Sequence, residues 1–91
     1  MENGEFLKLC KKIVKEYTNE HLDKSDNVQI DENNIFIVWS CKTLQNNKAL
    51  VSTTLYDGMY YELTYNGDKK EVYLDAYKKF ENKAIKVEES E

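Results

Sequence analysis

The sequence predicts an α+β domain: an N-terminal helix, a meander of three or four antiparallel strands and a C-terminal helix, with both helices on one face of the sheet. Three observations support this order. The chain opens with helically spaced apolar residues, its middle carries short β-branched and aromatic runs, and two dipeptides, Asp57-Gly58 and Asn66-Gly67, separate those runs. Such dipeptides accept the positive φ angles of two-residue hairpin turns, so antiparallel strands are expected around them.

The N-terminal helix is predicted over residues 6–22, where apolar side chains recur every three or four positions. Most lysines of this segment fall on the opposite side of the helix. They form either a solvated face or a contact for phosphate or for an acidic partner. Residues 23–34 are polar and predict a loop that is extended over 27–30. The buried stripe of the helix is expected to contain Phe6, Leu9, Cys10, Ile13, Val14, Tyr17 and His21.

The first strand, 35–41, is β-branched and aromatic throughout, which predicts a strand that is central in the sheet or covered on both faces. A polar loop over 42–48 follows it. Further strands are predicted at 49–56, 59–65 and 71–74.

The C-terminal helix is predicted to begin after Asp75, a candidate N-cap, although its spacing also fits a start near Lys70. Residues 1–4 and 87–91 are expected to be flexible ends of one domain that covers 1–91. The apolar positions of this helix are Ala76, Tyr77, Phe80, Ala84 and Ile85.

Alternation along the third strand places Tyr61 and Leu63 on one side of the sheet and Tyr60 and Glu62 on the other. With both helices on one face, the other face is expected to be open and partly aromatic. Tyrosine is amphipathic and enriched at interfaces, so this face is a candidate interaction surface, for instance in a homodimer.

Composition excludes several classes of protein. The 91 residues have a net charge of −4 and lack the ~20 consecutive apolar residues of a membrane span, so no membrane association is predicted. The acidic N-terminus does not resemble a signal peptide, which predicts the cytoplasm. Cys10 and Cys41 are accordingly expected to be buried, reduced thiols.

The chain contains no Arg and no Pro, and its abundant Asn, Tyr, Ile and Lys have AT-rich codons. Because Lys offers a point charge where Arg offers a bidentate fork, sequence-specific recognition of nucleic acid is disfavoured. A local lysine patch would still allow binding to a nucleotide or a nucleic-acid backbone.

The residues that carry catalysis are scarce. His21 is alone, no Cys/His cluster has the spacing of zinc ligands, and no Gly-rich loop is present. The sequence therefore predicts a protein that is not an enzyme and that has no catalytic residue, metal or cofactor. An enzyme would need His21, or a carboxylate pair such as Glu62 with Asp75, in a cleft.

The predicted loop 42–48 is the best candidate for a binding surface because it combines lysines with three amides; the alternative is an ordinary polar turn. Replacing its three amides with alanine is expected to abolish partner binding with little change in stability. Trp39, the only Trp, is either core or part of this surface. The candidate binding residues are Trp39, Lys42, Thr43, Gln45, Asn46, Asn47, Lys48, Tyr60, Lys78 and Lys79.

Two families resemble this chain. The order helix, three strands, helix is similar to that of double-stranded-RNA-binding domains, in which a loop between two strands and lysines at the last helix hold the RNA backbone. Here, 42–48 and the pair Lys78-Lys79 occupy similar places, although the chain is acidic.

The stretches 42–54, 57–62, 64–70 and 74–82 resemble an uncharacterised family of small proteins from phages and prophages of Gram-positive bacteria. Small accessory proteins of phages often bind and modulate a host factor, including defence systems. The resemblance therefore implies a non-enzymatic protein that binds a host or phage protein. A nucleotide-sequestering or nucleic-acid-binding protein is the alternative.

Overall fold

A computed structural model describes residues 1–22 and 28–89. It confirms the α+β class and the predicted N-terminal helix. Part of the predicted loop, 23–27, and the last two residues, 90–91, lie outside the described residues. The elements are helix α1 (Asn3–His21), a short 3-10 helix (Glu32–Asn34) and strands β1 (Ile35–Thr43), β2 (Asn46–Thr53), β3 (Met59–Asn66) and β4 (Glu71–Lys78).

The four strands form one antiparallel sheet in the order β1-β2-β3-β4, as the meander predicts. Both dipeptides lie at hairpin connections, but these connections are longer than two residues: 54–58 joins β2 to β3, and 67–70 joins β3 to β4. Gly58 supplies a positive φ of 69° in the first, whereas Lys70, with φ 54°, supplies it in the second. The dipeptides therefore locate the hairpins without setting the length of their loops.

The polar loop predicted over 42–48 is wrong, because strand pairing continues through it. Lys42 pairs with Asn47 and Thr43 with Asn46, which leaves Leu44 and Gln45 as the turn. Leu44 has a φ of 56°. Polar side chains are compatible with strands here because the end of the hairpin is largely exposed to solvent, while its backbone groups are satisfied across the ladder.

The predicted C-terminal helix is also wrong. Residues 71–78 pair with β3 along their whole length, and Leu74 lies opposite the buried Leu63. The spacing of Val72 and Leu74 suits the two-residue period of a strand, whereas the residues from Ala76 onward also fit the 3.6-residue period of a helix. The hydrogen bonds to β3 favour the strand. Residues 79–89, which we call the C-terminal arm, form neither helix nor strand and are exposed throughout. The helical layer therefore contains α1 without the second helix.

The core lies between α1 and the inner face of the sheet, which is the face toward the helix. Phe6, Cys10 and Val14 of α1 are fully buried at four-residue spacing, as the helical pattern predicts. The helix packs mainly on β1 and β2 and touches β3 less. The buried residues contributed by the rest of the chain are Ile30, Ile35, Ala49, Val51, Tyr61 and Leu63.

The expectation that the first strand is central or covered on both sides is wrong as well. β1 is an edge strand, and its register with β2 shifts between Ile37 and Trp39. The extra residue, Val38, forms a β-bulge, a device that protects sheet edges from further pairing. Beyond the bulge, Trp39 lies on the outer face, away from α1.

Candidate interaction surface

The outer face of the sheet carries large side chains that no other element covers in the described structure. The ladder brings them into rows: Trp39 pairs with Leu50, and Tyr60 pairs with Tyr77. Phe36, Trp39 and Tyr77 are 47%, 42% and 52% exposed, respectively. Aromatic residues of this size usually fill cores or interfaces, so their concentration on one face makes this face the candidate interaction surface. The apolar members of the outer face are Phe36, Trp39, Leu50, Tyr60, Tyr73 and Tyr77.

The outer face also contains two carboxylates directly opposite each other, because Glu62 pairs with Asp75. Lys48 neutralises one of them, with its Nζ 3.2 Å from Oε1 of Glu62. Asp75 is exposed and has no ion-pair partner among the described residues. Like charges at directly opposed positions destabilise a sheet, so this arrangement favours the approach of a cation from outside the chain.

Glu71, the first residue of β4, adds a third carboxylate to the outer face. Its Oε2 accepts a hydrogen bond of 2.6 Å from the hydroxyl of Tyr73. This bond raises the pKa of Tyr73 above its usual value because it stabilises the protonated phenol. The polar rim of the outer face is therefore acidic beside β4.

A depression of about 480 Å³ lies at the end of the outer face, beside the β2–β3 connection. Phe36 and Tyr60 line it from the sheet, Tyr56 from the connection and Lys79 from the arm. The backbone N–H of Lys79 donates a 2.7 Å hydrogen bond to the carbonyl of Gly58, which fixes the arm's first residue at the rim. Such a concavity next to exposed aromatic rings suits the side chain of a partner.

The structure separates the candidate binding residues. The strand register places Trp39, Thr43, Asn46, Lys48 and Tyr60 on the outer face. Lys42, Asn47 and Lys78 have the opposite orientation, with Asn47 only 1% exposed. Gln45 lies in the β1–β2 turn, and Lys79 lies at the depression.

Two of the three amides of the predicted binding loop have hydrogen-bond partners within the chain, and the third, the buried Asn47, has none among the described residues. Gln45 donates from Nε2 to Oδ1 of Asp68 at 2.9 Å, and Oδ1 of Asn46 accepts the backbone N–H of Gly67 at 3.1 Å. A Cβ on Gly67 would collide with the backbone oxygen of Gln45, so the two turns are in close contact. We call Gln45, Asn46, Gly67 and Asp68 the turn cluster. Its contacts give these amides a structural role.

Sequence reasoning missed Phe36, Leu50, Asp75, Tyr73 and Tyr77 as members of one surface. Asp75 and Tyr77 lie beyond the predicted end of the fourth strand at Leu74, where helical spacing from Ala76 onward competes with the period of two. Phe36, Leu50 and Tyr73 lie within predicted strands, and the register between the strands is what brings them onto one surface.

The two cysteines lie in different environments. Cys10 is fully buried, as expected, and burial raises the pKa of its thiol to about 12. Cys41 is exposed on the outer face, where it pairs with Lys48, so its predicted burial is wrong. His21 ends α1 with its ring stacked on Tyr17 at a centroid distance of 4.1 Å and its Nδ1 2.7 Å from the carbonyl oxygen of Tyr17.

A comparison with protein families matches residues 7–87 to a family of unknown function, DUF6275. The chain belongs to DUF6275. The match extends from α1 to the arm and therefore includes all of the outer face. No curated protein and no solved structure matches the chain.

Membership of DUF6275 agrees with the resemblance to an uncharacterised family. Within residues 1–22 and 28–89, no helix is long and apolar enough to cross a membrane. The same part of the chain contains no cluster of three or more His, Cys, Asp or Glu residues placed to hold a metal ion.

Proposed function

We propose that this protein is a non-enzymatic accessory protein of a phage or prophage that binds and modulates a host or phage protein in the cytoplasm of the host cell. The observation that supports the proposal most directly is the outer face, which combines uncovered aromatic side chains with an acidic pair that lacks one counter-charge. A component of a host defence system is one candidate target.

The charge of the outer face indicates the chemistry of the partner. Glu62, Asp75 and Glu71 contribute three carboxylates, and Lys48 is already paired with Glu62. A partner segment with a Lys or Arg beside apolar side chains would place its cation against Asp75. Its apolar side chains would then lie against Trp39 and Leu50 in the same row. Desolvated aromatic anchors provide affinity in such contacts, and charge pairs provide register and selectivity.

Binding to a nucleotide or a nucleic-acid backbone is the alternative, and exposed aromatic rings do stack on bases in proteins that bind single strands. Such proteins place cations beside the rings. Of the four candidate lysines, Lys42 and Lys78 have the opposite orientation and Lys48 is paired with Glu62, which leaves Lys79 beside the rings at the depression. Three carboxylates, those of Glu62, Glu71 and Asp75, lie on the same face as the aromatics. The geometry therefore favours a protein partner.

The experiment is affinity capture of the tagged full chain from the nuclease-treated lysate of an AT-rich Gram-positive host, followed by mass spectrometry. Two variants test the outer face: Trp39→Lys, which removes an aromatic anchor, and Asp75→Lys, which reverses the unneutralised charge. Leu44→Lys is the matched control, because Leu44 is 83% exposed in the β1–β2 turn. Thermal unfolding of all three checks that they fold.

We expect one protein at constant stoichiometry that is lost with both outer-face variants and retained with Leu44→Lys. Retention by the outer-face variants would show that another surface binds. A nucleotide or nucleic acid that copurifies with the chain, without a protein partner and with a steep dependence on salt, would favour the alternative.

A further inference from the structure

Two apolar surfaces outside the outer face are left wholly or partly uncovered by the described residues of their own copy: the C-terminal arm and the inner side of β4. The two features are independent, because one follows from the exposure of residues 79–89 and the other from the position of α1. Together they indicate how two copies of this chain associate.

The arm carries apolar residues at helical spacing without forming a helix. Phe80, Ile85 and Val87 are 96%, 75% and 77% exposed, respectively. Phe80, Ala84 and Val87 would share one face of a helix. An isolated helix shorter than about 12–15 residues is marginal in water, so the arm needs an apolar surface against which to fold.

The inner side of β4 offers such a surface. Val72, Leu74 and Ala76 point toward the helical layer, but α1 packs over β1, β2 and part of β3. Val72 and Leu74 are half-buried against the edge of the core, and Ala76 is exposed. A sheet with one helix over half of its inner face leaves room for a second helix beside the first.

The arm is held away from the surface on its own copy. The N–H of Lys79 is bonded to the carbonyl of Gly58 at 2.7 Å, which directs the chain off the end of the sheet at the β2–β3 connection. Residues 79–89 contain neither Gly nor Pro to make a tight reversal. Residues 79–89 are exposed along their whole length, as expected for a segment that leaves the sheet without packing on it.

We propose that residues 79–89 of one copy fold as a helix on the inner side of β4 of a second copy, and that the second copy's arm does the same in return. The exchange forms a closed two-fold dimer, since each copy donates one arm and receives one. It buries Phe80 against Val72, Leu74 and Ala76 of the neighbouring copy. The outer face remains free, so this inference does not depend on the proposed function.

The test uses sedimentation equilibrium of the full chain and three variants. Phe80→Lys/Val87→Lys disables the arm, Ala76→Lys disables the receiving surface, and Leu44→Lys is a matched lysine substitution at an exposed site in the β1–β2 turn. Because the residues at 76, 80 and 87 are exposed in the single chain, the variants are expected to fold, which circular dichroism checks.

We expect the full chain and Leu44→Lys to dimerise, with a dissociation constant at least about tenfold higher for the arm variant and for the surface variant. A mixture of those two variants should recover part of the dimer, because the unchanged arm of the surface variant can bind the unchanged β4 surface of the arm variant. Helix content should rise with concentration for the full chain but not for the arm variant.

Three results would overturn the exchange. The full chain could stay monomeric at millimolar concentration. The dimer could survive both variants, which would place the contact elsewhere. A monomer with amides protected from hydrogen exchange at 80–87 would show that the arm folds back on its own copy.

Discussion

The inner and outer faces of the sheet are built from alternate residues of the same strands, yet they differ in what covers them. On the inner face, Val51 and Leu63 are fully buried beneath α1. One position along the same strands, Leu50 and Glu62 belong to the outer face, which has no helix over it. Alternation along the strands thus creates two faces that each carry apolar side chains. The position of α1 determines which face becomes the core and which face stays exposed to solvent and to partners.

The largest expected difference between the faces is in stability. Leu63→Ala should lower the free energy of unfolding by about 2–5 kcal/mol, because it opens a cavity in the covered layer. Leu50→Ala, the matched change on the outer face, should cost less than about 1.5 kcal/mol, since Leu50 is half-buried. Urea denaturation of the two variants measures both values. Equal losses would mean that the outer face is covered in solution.

A second comparison concerns the amides of the β1–β2 hairpin. The sequence alone suggests a binding loop, whereas the structure connects Gln45 and Asn46 to the β3–β4 turn and buries Asn47. Replacing Gln45 and Asn46 with alanine should therefore cost about 1–2 kcal/mol of stability, from the two lost hydrogen bonds. Asn47 is left unchanged in this variant, because its buried amide has no hydrogen-bond partner among the described residues and its removal would not break a bond. Asn33→Ala, at an exposed position, is the control. Unchanged stability with loss of partner binding would restore the binding-loop interpretation.

The two cysteines, one buried in the core and one exposed on the outer face, allow a comparison through the pH dependence of stability. Burial raises the pKa of Cys10 from 9.0 to about 12, so between these values the unfolded chain loses a proton that the folded chain keeps. Stability should consequently fall as pH rises above 9, by up to about 1.4 kcal/mol per pH unit from this group. The contribution of Cys10 is the difference between the wild type and Cys10→Ala in the slope of the free energy of unfolding against pH.

Cys41→Ala is the matched control for that measurement, since this thiol is exposed on the outer face. Its alkaline slope should equal that of the wild type. Denaturation midpoints at several pH values between 8 and 11 supply the slopes. If Cys10→Ala and the wild type lose stability in parallel, the Cys10 thiol is not kept protonated by the fold.

The smallest expected effect concerns the carboxylates on the outer face. Asp75→Asn removes one of two like charges directly opposed across β3 and β4, and should raise stability by about 0.2–1 kcal/mol. The gain should shrink in high salt, because exposed charges are screened. Glu88→Gln, in the exposed arm, should have no comparable effect. A loss of stability on Asp75→Asn would indicate a stabilising partner for Asp75 elsewhere in the chain.

The sequence predicted most of the local structure. Phe6, Cys10 and Val14 recur at helical spacing and are the buried stripe of α1. Alternation placed Tyr61 and Leu63 on the same side of the sheet, and both are buried. These predictions succeed because the periods of helix and strand are local properties that burial on one side imprints on the sequence.

The incorrect predictions share one cause, which is that contacts distant in sequence outweighed local preference. Tyr77 fits both a helix and a strand, and pairing with Tyr60 makes it strand. Lys42 and Thr43 look like loop residues, and pairing with β2 extends the strand through them. Trp39 and Cys41 lie in an apolar run that suggested burial, yet an edge position with a bulge leaves both exposed.

The sequence by itself determined the fold class, the first helix, the antiparallel meander and which residues of a strand share a side of the sheet. The tertiary structure alone decided which side is the core, that Trp39 and Asp75 share a surface and that residues 79–89 form no helix. The physical reason is the range of the interactions: side-chain periodicity acts over neighbouring residues, whereas strand order and register depend on hydrogen bonds between segments far apart in the chain.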